Sequence, residues 1–349
     1  IYPREAVDTL KTQPLGTGPF TVSEWVRGDR IVLTKNKDYW VKGLPHLDKV
    51  TYRFIPDPNA ALAALKAGDV DVSAFGIGPE SVDELKKDPR FQVIVGDTTN
   101  DVTLSMNNSK KPFSDKRVRL AVTHAINKDE VLKGAMFGHG KILGSNVDPL
   151  NPYFVDLAKR VPYDPAKAKK LLAEAGLANG FEFKAQVPSF PEQLKKAQIV
   201  AGYLSAIGVK MTIEPKEYGA FLSLMTTGKH GPGYWHFAGM SNPTASIEKL
   251  YRSSSVWNSA RVNDPKVDAA LDTIQQERDP DKVKKGVAAL TNEMTARAPF
   301  LFLPRPRSFT VWWPWVKNYY GEISVSARRD APVWARAWID QDLKKSMGF

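Results

Sequence analysis

An α/β fold divided between two domains is the architecture this sequence predicts, and three observations carry it. The chain has 349 residues, more than one hydrophobic core usually serves. Stretches of strand-like alternation recur between stretches of helical spacing, the β-α-β order of a sheet covered by helices. Four predicted helices open on Asp-Pro, at 57–58, 164–165, 264–265 and 279–280, a cap followed by a residue whose fixed φ suits the first helical position.

The elements follow in order. GTGPF (16–20), IVLTKN (31–36) and VTYRFI (50–55) read as strands, with Val50, Tyr52 and Phe54 sharing one face. Asp57-Pro58 starts a helix through ALAALKA, Gly68 lies past its end, and VDVSA (70–74) returns as a strand. FQVIV (91–95) and DVTLSMNN (101–108) are two more strands. Ser114 or Asp115 then caps a helix whose buried face is Val118, Ala121, Val122, Ala125 and Ile126. Asn127 to Met136 is a second short helix, and FGHGKILG (137–144) with DPLNPYF (148–154) is loop.

Asp164-Pro165 opens a helix with Leu171 and Leu172 inward and Gly176 at its end. Phe181 to Val187 alternates as a strand. QLKKAQIVAGYLSAIG (193–208) is amphipathic through Leu194, Ala197, Val200, Ala201, Leu204 and Ile207, and VKMTI follows as a strand. In the helix after Asp279-Pro280, Val283, Val287, Leu290 and Met294 step by four, three and four; it and the helix after Asp264 are expected to pack against a sheet. From Pro299 the chain is aromatic and proline-rich and reads as extended, and ARAWIDQDLKKSMGF (335–349) contains a closing helix.

Lys and Arg outnumber Asp and Glu by 49 to 38, a net charge of +11. The basic pairs 110–111, 169–170 and 195–196 are interleaved with acids on polar helix faces, so a solvated surface is favoured over a nucleic-acid groove; a basic nucleic-acid-binding module stays a rival without an RNP, zinc-finger or helix-turn-helix pattern. The absence of cysteine excludes disulfides, thiolate metal sites and Cys nucleophiles. The five histidines form no HExxH or HxH and no GxSxG serine accompanies them, so no metal site, cofactor or catalytic residue is expected, and a hydrolase would need a non-local site. No apolar run reaches the ~18 residues of a membrane span, and IYPREAVDTL lacks a signal-peptide core, which leaves an export signal expected upstream or none.

Several ordered pieces carry a family resemblance: GTGPF with the following EW, NKDYW, GLPHLDKV, ALAALKAGDVDV, MNNSKKPFSDKRVRLAVTHAINKDEV, YDPAKAKKLLAEAG, AIGVKM and NDPKVDAAL with its trailing QERDP. In that order the chain resembles the extracytoplasmic solute-binding proteins of ABC importers, family 5, the peptide, dipeptide and nickel-binding class. The resemblance implies a two-lobed periplasmic-binding-protein fold of the type II, Venus-flytrap kind, with mixed sheets flanked by helices. Mapped here, residues 1–97 form part of lobe 1, 98–298 form lobe 2, and 299–349 return to lobe 1, the two crossings making a hinge. The family carries roughly a domain's worth of sequence ahead of GTGPF, so lobe 1 is expected to be partial. The implied function is capture of a small peptide or peptide-like ligand and its delivery to ABC transporter permease subunits, by a monomer that is periplasmic, or membrane-anchored in a Gram-positive cell, and that performs no chemistry.

The ligand-binding candidates follow from the same resemblance. In GPGYWHFAGMSNPTAS (231–246), Tyr234, Trp235 and His236 are expected as cleft wall with Met240, Ser241 and Asn242 nearby; the alternative is ordinary core. Gly239 stands where peptide binders carry the acid that pairs with a ligand's α-ammonium. Asn107 and Asn108 offer amides to a ligand or form a turn, and Trp257-Asn258 falls where the family places a cleft-facing asparagine. Arg305 and Arg307 either meet a ligand carboxylate or pair at the hinge. Trp312, Trp313, Trp315, Tyr319 and Tyr320 could make a sugar platform, but packing is favoured.

Overall fold

The computed structural model describes residues 4, 7, 8, 10, 12, 14–73, 77–98, 101–238, 244–320 and 331–349, the side chains of 101, 236–238, 331 and 332 excepted. The chain forms two compact units, Ile1–Gly96 with Ser308–Phe349 and Asp97–Arg307. The second unit runs past the return expected at Pro299, because residues 300–302 add a strand to its sheet.

The first unit opens with an antiparallel meander of β1 (Phe20–Val26), β2 (Arg30–Lys35) and β3 (Lys49–Arg53). Its first reversal places Gly28 at φ 79°, a conformation open to glycine at no steric cost. Helix α1 (Pro58–Lys66) is capped by the Asp57 carboxylate, which accepts from the Ala60 amide at 2.8 Å, and it ends before Gly68 at φ 80°. Strand β4 (Val72–Ser73), helix α2 (Val82–Lys87) and strand β5 (Gln92–Asp97) follow.

The second unit contains β6 (Asp101–Met106), α3 (Lys116–His124), α4 (Lys128–Met136), β7 (Gly140–Lys141), α5 (Pro165–Glu174), β8 (Phe181–Pro188), α6 (Pro191–Ser205), β9 (Val209–Lys216), α7 (Tyr218–Thr226), β10 (Gly233–Ala238), α8 (Ala245–Tyr251), α9 (Pro265–Gln276), α10 (Pro280–Arg297) and β11 (Phe300–Phe302). Asp115, not Ser114, caps α3, and Asn127 caps α4 through two backbone amides. The sheet order is β11-β6-β10-β8-β9, in which β10, β8 and β9 run parallel and β6 runs against both of its neighbours. A strand in such a sheet is buried on both faces. Val102, Leu104 and Met106 point to one side, Thr103 and Ser105 to the other, and all are 2 % exposed or less. The α3 residues Val118, Ala121 and Val122 and the α6 residues Ala197, Val200 and Leu204 fill the same core.

Two loop and packing expectations change. Within FGHGKILG a two-residue strand, β7, pairs with Arg305 and Pro306. Helices α9 and α10 pack with α8 into a mainly helical cluster, to which the sheet contributes Phe300 and Phe302.

The return leg holds β12 (Arg305–Trp312), β13 (Val316–Lys317), α11 (Ala331–Arg336), β14 (Trp338–Ile339) and α12 (Gln341–Ser346). Its aromatic run is core. Trp313 stacks on Trp315 at 4.3 Å between ring centres, and their indole nitrogens donate to Leu65 O and Asp71 Oδ1, each at 2.8 Å. Tyr319 stacks on Trp334, while Tyr320 is half exposed. Buried indoles whose N–H groups are already bonded serve packing, not a sugar platform.

Candidate functional site

In an open sheet with parallel strands, ligands gather beyond the carboxyl ends of those strands. Strand β10 pairs Gly233 with Met106 and Ala238 with Asp101, so its carboxyl end coincides with the start of β6. The chain enters the second unit at that end and leaves it there too: Leu303 donates its amide to Val102 O at 2.9 Å, and the Thr98 hydroxyl donates to Pro306 O at 2.7 Å.

A buried polar cluster occupies this end. Arg305, 4 % exposed, pairs through Nη1 with Asp148 Oδ2 and donates through Nη2 to Asn146 O at 3.3 Å. Asp148 is 6 % exposed, and its other oxygen accepts the Leu150 amide at 2.7 Å. Tyr251, at the end of α8, reaches Asn146 Oδ1 at 3.5 Å. Ser145 Oγ and Asn146 Nδ2 are both buried and make no hydrogen bond to a described residue. Such atoms forfeit their hydration and regain nothing, which costs about 1–3 kcal/mol each, so a native protein keeps them for a reason.

Beside the cluster Asp97 takes hydrogen bonds from Lys141 Nζ and from Arg307 Nε, the latter at 3.0 Å. Partial burial works against its ionisation, yet the two cations outweigh that and hold its carboxyl below the usual range. Arg307 is therefore paired at the crossing.

Among the described residues, the sequence-predicted candidates do not converge. Trp235 is 0 % exposed and donates its indole N–H to Gln193 Oε1 at 2.8 Å; Tyr234 stacks on Phe221 and donates to Phe221 O at 3.0 Å. Both are core of the second unit, because β10 is a central strand with helices on each face. His236 pairs through its backbone with Thr103, and its side chain, like Gly239, Met240, Ser241 and Asn242, lies outside the described residues. Asn107, Trp257 and Asn258 stand at the other end of β6, roughly 17 Å of strand away. Asn107 closes a turn by accepting from Ser109 N and Oγ at 3.0 and 2.7 Å. Asn258 staples its own loop, donating to Arg252 O and Val262 O and accepting from Val262 N. Trp257 is half-buried under the Lys249 ammonium, 3.9 Å from its ring centre.

Arg305 is the one candidate inside the polar cluster, and its partners Ser145, Asn146 and Asp148 were not foreseen. A signal existed: the connection from β7 to α5 is more than twenty residues without regular structure, a length that compact domains reserve for function. Among the described residues no group of three or more His, Cys, Asp or Glu could hold a metal ion, and no helix is long and apolar enough to cross a membrane.

Comparison with known proteins agrees with this architecture. The family described as bacterial extracellular solute-binding proteins, family 5 Middle, matches residues 3–259. The Heme-binding protein A of Haemophilus influenzae is 29% identical over 327 residues, 89% of this chain and 58% of that protein. The Glutathione-binding protein GsiB of Pectobacterium atrosepticum is 30% identical over 308 residues, 84% of this chain and 59% of its own length. The chain thus spans less than two thirds of these relatives. Among solved structures, the ABC transporter-associated periplasmic binding protein DppA of Helicobacter pylori, in complex with peptide STSA, superposes with a TM-score of 0.87 at 26% identity over 97% of this chain and 68% of that one. The fold is that of the two-lobed periplasmic binding proteins.

Proposed function

Because the chain belongs to the family 5 bacterial extracellular solute-binding proteins, we propose that it captures a peptide or peptide-like small molecule for an ABC importer and hands it to membrane permease subunits. The observation that carries this reading is the pair of polar atoms Ser145 Oγ and Asn146 Nδ2, unsatisfied among the described residues and held beside Arg305 at the carboxyl end of β10. A peptide offers alternating carbonyls and amides to such atoms, and a solute that supplies the absent bonds stabilises the state that holds it. The relatives named for heme, glutathione and peptide support the breadth of the class. The protein acts outside the cytoplasm, in the periplasm or held at the outer membrane face.

The test is native mass spectrometry of the purified protein followed by calorimetric titration with a panel of di- to tetrapeptides, glutathione and opines. Saturable 1:1 binding of one panel member is expected. Turnover of an ester or peptide in place of binding overturns the reading in favour of a hydrolase. Retention on DNA that falls steeply with salt, with the panel inert, overturns it in favour of a nucleic-acid binder.

A further inference from the structure

We propose that the second unit carries a separate small-carboxylate site, in the cavity of about 210 Å³ where α3, the start of α9 and the end of α10 meet. Its walls include Asn108, Ser114, Arg119, Asn263, Asp264 and Arg297, none of which belongs to the cluster around Arg305. This site is independent of the proposed importer function.

The charge balance is the first argument. Arg297 is neutralised at this cavity by Asp264, Nη1 to Oδ2 at 2.7 Å, and by Glu293. Arg119 is 7 % exposed and has no ion pair among the described residues. It donates through Nε to Arg297 O at 3.1 Å and through Nη1 to Phe113 O at 2.7 Å. Asp115 attracts it through space, but that carboxylate is already taken by Arg117 Nη2 at 2.6 Å. Burial pulls the Arg119 pKa down to about 10, a sign of how poorly its charge is compensated. A buried guanidinium without an acid is the group for which a ligand anion is the natural partner.

The donors are the second. Arg119 Nη2, the Ser114 hydroxyl and the Asn263 amide make no hydrogen bond to a described residue, and all three residues line the cavity. Asn108 and Asp264 are occupied instead, Asn108 Nδ2 by Ala260 O at 2.8 Å and Asp264 Oδ1 by the Lys266 amide at 2.9 Å. The space equals about seven waters at roughly 30 Å³ each, enough for an acetate-sized group.

The test is thermal denaturation of the whole chain in an amine buffer with sodium acetate from 0 to 20 mM, sodium chloride holding ionic strength constant, and a parallel series in inorganic phosphate. Acetate is expected to raise Tm along a saturating curve. In the double variant Ser114→Ala, Asn263→Ala, both at exposed positions, the acetate concentration at half-effect is expected to rise at least fivefold with Tm in chloride alone unchanged. A linear response no larger than that of chloride overturns the site and leaves the cavity to water. An unaltered acetate curve in the double variant overturns the assignment of the donors, and a larger response to phosphate than to acetate overturns the carboxylate class.

Discussion

The two ends of β6 both gather buried polar side chains, Asn among them, and treat them differently. Beyond Met106 the side-chain amides serve the fold: Asn107 closes a turn, Asn108 donates to Ala260 O, and Asn258 makes three bonds to backbone. Before Asp101 the polar groups are gathered and left partly idle, with Ser145 Oγ and Asn146 Nδ2 buried and unbonded to any described residue beside a buried Arg305–Asp148 pair. The first pattern is what stability alone selects. The second is tolerated where a ligand completes it. His230 Nε2, Ser105 Oγ and Ser253 Oγ are exceptions at the first end, each buried without a partner among the described residues; the His230 ring stays neutral and packs on Tyr234.

The largest effect that tests this contrast is removal of Arg305. Arg305→Ala leaves the Asp148 carboxylate, 8 % exposed, without its cation, and a loss of about 3–5 kcal/mol is expected in urea denaturation. The double variant Arg305→Ala, Asp148→Asn should recover much of that loss, since the stranded charge is what costs. A loss below ~1 kcal/mol would show that the cluster is wet, and the contrast between the ends would fail.

Next in size is a pH effect at the opposite end. Burial pushes the His230 pKa down to about 4 from an ordinary 6.5. The folded form resists a proton that the unfolded chain accepts, so this contribution is fully present above pH 6.5 and is lost as pH falls toward 4. Its ceiling is about 3 kcal/mol by linkage. Comparing denaturation midpoints at pH 7.5 and 4.5 for the parent and for His230→Phe should show a smaller drop in the variant. Equal drops would place the ring in contact with water.

Asn258→Ala is expected to cost about 2 kcal/mol, through three backbone bonds lost in a closed loop, and to leave solute affinity within twofold. Calorimetry decides. A tenfold weakening would return Asn258 to the ligand site that family resemblance suggested.

These cases also show what the sequence could and could not say. The helix starts were legible because Asp57, Asp164, Asp264 and Asp279 each sit one residue before a proline, a cap that is local by nature. The core faces of α3 and α6 were legible from spacing. The candidate site was not, because Tyr234 and Trp235 carry the same composition in a cleft wall as in a central strand, and only the strand order tells which applies. Asp148 was invisible for the converse reason. Its partner lies 157 positions away, and nothing in DPLNPYF marks one carboxylate as buried. Long-range pairing of this kind is a property of the folded unit, not of any window of residues.

The smallest change isolates the idle groups. Ser145→Ala removes a hydroxyl that bonds to no described residue, so stability should not fall and should rise by about 1 kcal/mol, because a buried polar atom without a partner is itself unfavourable. The affinity for the solute found in the panel should fall about tenfold, or ~1.4 kcal/mol. The two readouts separate the explanations that burial alone leaves tied. A hydroxyl retained for packing would lower stability and spare binding, whereas one retained for the solute does the reverse, and only the reverse makes the Asp101 end of β6 a binding surface.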